Sequence, residues 1–316
     1  MLQWTRIGSF FLGGIMNSSK EELLGILSNR IKQPTTIEEQ INILKSRNVI
    51  IEDEKFAKDF LKIFNYYFVT GYLHSYKQSN NCYHNAYFNK IACQIKFDMR
   101  LREIFIYCLE VIEKTLKTTI GYYFSHNYKY GNIAYSDSMF FPNNEGKHEK
   151  LIGYYNTLLK NNKDLPFVKH NLSKYEILPT WAAIELFTMG NLENFFEILN
   201  SDTLKGIEKT FKFPKNKISN WIKNLRIFRN MVAHNQRLYN FPIFSTPLKP
   251  KEYKEQTGRI FDYVIIMKFL FLDVDDWNGY VLPRLEYIFD DFVDEKNDIK
   301  LKCIGFPDNW KEVLKK

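Results

Sequence analysis

The residues best suited to chemistry are an arginine and a histidine within one basic segment. Arg229, Asn230 and His234 lie in the run Arg-Asn-Met-Val-Ala-His, with four residues between the arginine and the histidine. A histidine titrates near neutral pH and can act as a general base or acid, and a guanidinium matches the oxygens of a phosphate. The three residues are therefore candidate catalytic residues for phosphodiester cleavage, and a purely structural histidine is the alternative.

A helix must position this pair. Apolar residues at spacings of four, three and four predict an amphipathic helix from about 219 to 238. They are Trp221, Leu225, Phe228 and Val232. On the far side, spacings of four, four and three would form one cationic line. Its members are Arg226, Asn230, His234 and Arg237.

The segment around the pair is strongly basic. The chain has 44 Lys and Arg against 36 Asp and Glu, a formal net charge of +8. Residues 205–229 contain eight basic residues and one acid, Glu208, so this stretch alone carries 8 − 1 = +7. Such a segment favours an RNA partner, and a solvated lysine-rich surface is the alternative. The predicted RNA-binding residues are Arg226, Arg237, Lys205, Lys209, Lys212, Lys215, Lys217 and Lys223.

Composition and motifs exclude several classes of protein. The four cysteines have no metal-ligand spacing, which predicts reduced thiols, a cytoplasmic location, no metal and no cofactor. The longest apolar run, 261–272, is interrupted by Asp262 and Lys268 and is too short to span a bilayer, so it predicts a buried helix and no membrane partner. The chain also has no phosphate-binding loop and no Rossmann, zincin or hydrolase signature.

Helical periodicity dominates the rest of the chain, which predicts an all-α fold. Thr36 and Glu39 form a capping box before a short helix that ends near Asn48. A second helix is expected to bury one aromatic face and to break at Gly71. That face comprises Phe56, Phe60, Ile63 and Tyr67.

The strongest helix is expected at about 88–124. Its apolar stripe consists of Leu101, Phe105, Leu109, Ile112, Leu116 and Ile120. Charged residues on the other face are expected to form ordinary surface pairs. They include Asp98, Arg102, Glu110, Glu113 and Lys117.

The domain organisation is predicted to be simple. No internal repeat and no Pro-, Gly- or Ser-rich linker divides the chain. We expect an N-terminal extension at 1–32 and a single helical domain at 33–316. The opening, Arg6 followed by the apolar stretch 7–16, weakly imitates a signal peptide, and Met16 is an alternative start of translation.

Several ordered blocks resemble a known family. The run 229–240 resembles the RNxxAHxxRLxN signature of the Abi-like proteins, the AbiD/AbiF group of bacterial abortive-infection factors. Residues 37–53 and 64–72 resemble the family's opening helix and its aromatic block. Residues 97–113 carry its FDxxLR and ExIE pattern, and 179–190 its PxWxxxExxxxG pattern. The resemblance covers roughly residues 33 to 310.

This resemblance implies a fold and an activity. The family belongs to the HEPN superfamily, so it implies a HEPN-type helical bundle with additional N- and C-terminal helices. In that superfamily an arginine and a histidine, here Arg229 and His234, often mark a metal-independent endoribonuclease that acts as a homodimer. The resemblance further implies a toxin of anti-phage defence, restrained by a partner small RNA. Where the family commonly has two histidines, this chain has His234 and Asn235.

Two other functions remain open from the sequence. In the first, the same cationic helix binds a structured RNA without cutting it, and His234 is only a hydrogen-bond donor. In the second, the protein is a helical scaffold that binds protein partners through its acidic tail. That tail contains Asp290, Asp291, Asp294, Glu295 and Asp298.

Overall fold

A computed structural model describes residues 20–142, 144–253, 255–294 and 298–316. The predicted signal-like opening at 1–16 lies outside the described residues. The described residues form two compact units, one at 20–68 and 76–88 and the other within 69–75 and 89–316.

The first unit contains short helices and one small parallel ladder. The helices are α1 (Lys20–Arg30), α2 (Ile37–Ser46) and α3 (Glu54–Ile63), and α4 (Tyr66–Leu73) begins in this unit. Strands β1 (Val49–Ile50) and β2 (Ala86–Tyr87) pair in parallel.

The predicted capping box at the start of α2 is confirmed. The backbone N–H of Thr36 donates to the Glu39 carboxylate (2.6 Å), and the N–H of Glu39 donates to the Thr36 hydroxyl (3.2 Å). The helix then buries Ile41 and Leu44, which lie three residues apart on one face.

The second predicted helix is wrong in its boundaries and in its buried face. It breaks into α3 and α4 around Asn65, whose side chain accepts a hydrogen bond from the N–H of Tyr67 (2.8 Å), because asparagine competes well for free helical N–H groups. Gly71 lies inside α4. Phe60 is buried, whereas Ile63 and Tyr67 are exposed.

The second unit consists of helices and the segments that connect them, with no strand among its described residues. Its main helices are α5 (Phe88–Asn127, which begins in the first unit), α6 (Glu145–Asn161), α7 (Pro166–Tyr175), α8 (Thr180–Ala183), α9 (Met189–Glu197), α10 (Ser201–Phe211), α11 (Lys215–Ala233), α12 (Ile260–Leu270), α13 (Val274–Asp276), α14 (Leu282–Phe292) and α15 (Trp310–Leu314). A π-helical turn, Trp277–Val281, joins α13 to α14. The prediction of an all-α fold is confirmed.

The core of the second unit forms around α5 and α11. All six predicted apolar residues of α5 are buried, as are the four of α11. Helix α11 packs against α9, α10 and α12. Helix α12 is buried on almost every side, as the run 261–272 predicts. Two long helices therefore present their polar faces from one rigid core.

The polar face of α5 differs from the expectation. Asp98, Arg102 and Lys117 are buried, so the prediction that they form surface pairs is wrong. Each is buried with polar partners from elsewhere in the unit, which offset the cost of removing a charge from water.

Helix α11 begins four residues before the predicted start and ends five before the predicted end. Pro214 takes the N-cap position and His234 the C-cap position. Arg237 therefore lies beyond the helix, and the predicted cationic line ends at His234.

The described residues contain neither a membrane-spanning helix nor a cluster of metal ligands. No helix among them has the length and apolar character needed to cross a membrane. The same residues contain no cluster of His, Cys, Asp and Glu that could hold a metal ion, and the four cysteines are free thiols.

Candidate active site

The polar face of α11 forms an exposed ridge. Lys223, Arg229 and Asn230 are exposed, Arg226 is half-buried, and His234 is exposed at the end of the helix. From Lys215 to His234 the ridge is about 28 Å long at the helical rise per residue. One helix thus carries all three predicted catalytic residues and half of the predicted RNA-binding residues.

Arg229 lies in a groove between α5 and α11. The groove has a volume of about 360 Å³, and Ala233, one turn after Arg229, lines the same wall. The α5 wall comprises Ile106, Leu109, Glu110, Glu113, Lys114 and Lys117. His234 is not among the described residues that line this groove; it lies on the adjacent exposed surface.

Most charges in the groove are already paired. Glu113 accepts from Lys117 (3.0 Å), whose ammonium also donates to the carbonyl of Glu185 (3.1 Å). Lys114 pairs with the carboxylate of Glu185 (3.0 Å). Among the described residues, the side chains of Arg229 and Glu110 have no hydrogen bond or ion pair. The guanidinium of Arg229 is therefore available to an incoming anion.

His234 is positioned by a specific helix ending. The N–H of Gln236 donates to the carbonyl of Met231 (2.9 Å), and the N–H of Asn235 donates to that of Val232 (3.3 Å). This is a Schellman motif, which needs a left-handed residue just after the C-cap. Asn235 supplies it at φ 55°, a conformation that asparagine adopts more readily than most residues. The chain turns sharply after His234 and leaves the imidazole exposed.

A buried carboxylate from α5 holds the segment that follows His234. Asp98 accepts hydrogen bonds from the N–H groups of Leu238 (2.7 Å) and Tyr239 (2.9 Å) and from the hydroxyl of Tyr72 (2.7 Å). Burial raises the pKa of Asp98, and these donors together with the charge of Arg102 oppose that rise. Burial also raises the pKa of Tyr72, so its hydroxyl keeps its proton and donates.

Arg102 binds the other side of the same segment. Its guanidinium donates to the carbonyl of Gln236 (2.9 Å) and to that of Asn235 (3.4 Å), and it lies 3.8 Å from the Asp98 carboxylate. We call Tyr72, Asp98 and Arg102 the latch. The latch satisfies both backbone donors and backbone acceptors of residues 235–239, so the exit from α11 has one fixed geometry.

The two flanking arginines have local partners. Arg226 pairs through Nε with the carboxylate of Glu193. Arg237 donates to the carbonyls of Gly71 and Asn240 and stacks over the rings of Tyr72 and Phe241. Burial lowers the pKa of Arg237. These contacts favour a structural role for Arg237, and its contact with RNA stays a prediction.

The predicted lysine track lies where α10 meets α11. Lys205 forms an exposed pair with Asp202 (3.1 Å), and Lys217 lies over the ring of Phe213. Among the described residues, the ammonium groups of the other four have no partner. They are Lys209, Lys212, Lys215 and Lys223, all exposed. The structure therefore brings an exposed cationic surface to the amino-terminal part of α11 and the Arg229 groove to its carboxyl-terminal part.

Sequence reasoning missed the latch. The signal was present in the FDxxLR block, which contains Asp98 and Arg102, and in the run that follows His234. Nothing local in the sequence indicates that these two blocks meet, because they lie about 140 residues apart.

The fold and the site together define an all-α protein with a cationic ridge on one helix. The family model for Abi-like protein matches residues 59–240, which is more than half of the chain and includes α5, α11 and His234. The chain belongs to the Abi-like protein family, and this membership links it to abortive-infection defence. No match was found among curated proteins or among solved structures.

Proposed function

We propose that this protein is a metal-independent endoribonuclease toxin of anti-phage abortive infection, acting on RNA in the cytoplasm. The observation that carries the proposal is that one helix presents two exposed side chains of the required chemistry. Arg229 lies in a groove and has no partner among the described residues, and His234 lies at the fixed end of the same helix. Family membership supports the biological setting.

The proposed reaction uses the 2′-hydroxyl of the RNA itself. His234 takes the proton of the 2′-OH, the 2′-oxygen forms a bond to phosphorus, and the bond from phosphorus to the 5′-oxygen breaks. The leaving 5′-oxygen must gain a proton from an acid. Arg229 stabilises the negative charge that develops on the phosphorane oxygens. The products are a 2′,3′-cyclic phosphate and a 5′-hydroxyl.

Asn230 and the lysines have supporting roles in this proposal. Asn230 lies one turn before His234 and can hydrogen-bond the phosphate or orient the imidazole. The exposed lysines attract the RNA backbone along the ridge, and this attraction weakens with salt.

A homodimer would complete the site. One chain supplies one histidine at the ridge, while the reaction needs both a base and an acid. Two-fold pairing of the ridges would place a second His234 opposite the first. A structured small RNA that binds along the same ridge would compete with the target RNA. It would thereby restrain the toxin.

The test is cleavage of end-labelled single-stranded and structured RNAs in EDTA by purified wild type and by His234→Ala, freed of nucleic acid. We expect cyclic-phosphate ends from the wild type and loss of cutting in the variant. His170→Ala is the matched control, because His170 is an exposed histidine on α7 and not on α11.

The result also separates the alternatives. Salt-sensitive binding by both proteins with no cutting, with and without extract from phage-infected cells, would replace the nuclease with a non-catalytic RNA-binding module. Failure to bind any RNA at low salt would favour the protein scaffold.

A further inference from the structure

A second groove lies beside Arg226, between α6, α9 and α11. It has a volume of about 470 Å³, within the range of pockets that bind small ligands. Tyr154 on α6, Gly190, Glu193 and Asn194 on α9, and Arg226 on α11 are among its lining residues. Because Arg226 precedes Arg229 by three residues, the groove opens about one helical turn from the candidate active site.

The positive charge in this groove is neutralised by an acidic side chain, whereas most lysines of the lysine track have no acidic partner among the described residues. Arg226 and Glu193 form an ion pair through Nε, which also fixes the plane of the guanidinium. Among the described residues, the two terminal Nη groups of Arg226 have no hydrogen-bond partner. A paired arginine attracts a phosphate weakly, but its two free Nη groups still form a planar pair of donors.

The opposite wall offers an aromatic surface. Tyr154 on α6 lines the groove and is 55% exposed, so its ring is accessible to a ligand. Such a ring can stack an unpaired base. Asn194 adds an exposed amide that can both donate and accept. An aromatic face with planar donors and an amide matches a nucleobase better than a phosphate.

The family block at 179–190 explains part of the groove. A Cβ added at Gly190 would come 3.4 Å from Cδ of Arg226, which is an ordinary van der Waals contact, so the stem of the arginine lies close to α9 at this residue. The N-cap Thr188 and Asn191 bond each other in a capping box, which fixes the start of α9. The floor of the groove is thus built by side chains that have little freedom to move.

We infer that this groove binds one unpaired purine base of the RNA, with guanine preferred, next to the phosphate that Arg229 contacts. Guanine presents two acceptors, O6 and N7, on one edge, and the two Nη donors of Arg226 match them; adenine presents only one acceptor there. Tyr154 stacks on the base and Asn194 contacts a further edge. The inference rests on the proposed function and names the base-recognition site of that same RNA.

The test measures binding in the His234→Ala background, so it does not depend on cleavage. Fluorescence anisotropy compares five-nucleotide RNAs that carry guanine, adenine, uracil or an abasic site at the central position. We expect the guanine RNA to bind about 10-fold more tightly than the abasic RNA, which is the scale of one stacked base. Tyr154→Ala should remove most of this difference, and Arg226→Lys should remove the preference for guanine over adenine.

The control is Tyr175→Ala, because Tyr175 is also half exposed but lies on α7, outside the groove lining. Equal affinity for guanine and abasic RNAs, or a difference that survives Tyr154→Ala, would overturn the inference. If wild type binds guanine selectively but cuts nothing, the base site stands and the nuclease proposal fails. If wild type cuts RNA but neither binds nor cuts with any base preference, the nuclease proposal stands and the base site fails.

Discussion

The two ends of α11 have different supports. At the carboxyl-terminal end, the latch fixes residues 235–239 through donors and acceptors that are almost wholly buried. Where α10 meets the amino-terminal end of α11, the lysines are largely exposed. Among the described residues, Lys205 on α10 pairs with Asp202 and Lys217 on α11 lies over the ring of Phe213. The backbone that follows His234 is thus held by buried polar side chains, whereas the lysine side chains near the start of α11 project into solvent from a helix whose apolar face is buried.

This difference matches what each end must do in the proposed reaction. Groups that transfer a proton or stabilise a transition state must be held within about 0.5 Å of the productive geometry. Attraction of a phosphate chain acts over about a Debye length, roughly 8 Å at physiological salt, and tolerates mobile side chains. Mutations at the two ends should therefore change different observables.

The largest effect is expected from Asp98→Ala. The change leaves the N–H groups of Leu238 and Tyr239 without their acceptor and removes the counter-charge of Arg102. We expect the free energy of unfolding to fall by about 3–5 kcal/mol. Equilibrium unfolding in urea, followed by circular dichroism, measures it.

The matched control for Asp98 is Glu103→Ala on the same helix. Glu103 forms exposed pairs with Arg100 (2.8 Å) and Arg284 (3.5 Å). Such pairs contribute less than about 1 kcal/mol. Equal losses of stability in the two variants would contradict the role of the latch.

The next effect is expected from Arg229→Ala, on activity alone. Loss of a transition-state donor lowers a cleavage rate by about 10²–10³-fold. Because Arg229 is exposed and has no partner among the described residues, its removal should change the free energy of unfolding by less than about 0.5 kcal/mol. Arg229→Lys keeps the charge but lacks the planar pair of donors, so its cleavage rate should lie between those of the wild type and Arg229→Ala. Single-turnover cleavage measures these rates, with Arg100→Ala as the exposed-arginine control.

A smaller effect, on RNA binding, is expected from the lysines where α10 meets the amino-terminal end of α11. Replacing Lys209, Lys212 and Lys215 together by Gln should reduce the slope of log K against log salt by about 2 for single-stranded RNA, since each phosphate contact contributes about 0.7. Cleavage at saturating RNA should stay unchanged. A variant with Lys160, Lys163 and Lys169 changed to Gln alters the net charge equally and should leave the slope as it was; equal changes in both would show that only net charge matters.

The smallest effect is expected from Asn235→Gly. Glycine removes the left-handed strain at φ 55° but adds freedom to the unfolded chain, so the free energy of unfolding should change by less than about 0.5 kcal/mol. Asn235→Val is the contrast, since a β-branched residue there costs about 1–2 kcal/mol. Thermal unfolding measures both, and a neutral Asn235→Val would show that the chain after His234 is not held in this turn.

Much of the fold could be predicted from local pattern. The apolar stripes of α5 and α11 and the capping box at Thr36 follow from spacing alone, because a helix repeats every 3.6 residues and its cap needs only neighbours in sequence. The basic character of 205–229 is likewise a property of composition. The boundaries of the helices are harder to predict, because local hydrogen bonds decide them and the apolar spacing does not. Asn65 does this at the start of α4, and Asn235 at the end of α11.

The sequence by itself thus determined the all-α class, the buried stripes of α5 and α11, and the residues Arg229, Asn230 and His234 as candidates. Only the tertiary structure decided that Asp98 and Arg102 are buried against residues 235–239, that Arg237 leaves the helix, and that Arg229 shares a groove with Glu110. The physical reason is the distance along the sequence between the residues that interact. A helix forms from contacts within four residues, whereas the cost of burying a charge is met by whichever distant backbone the packing brings to it.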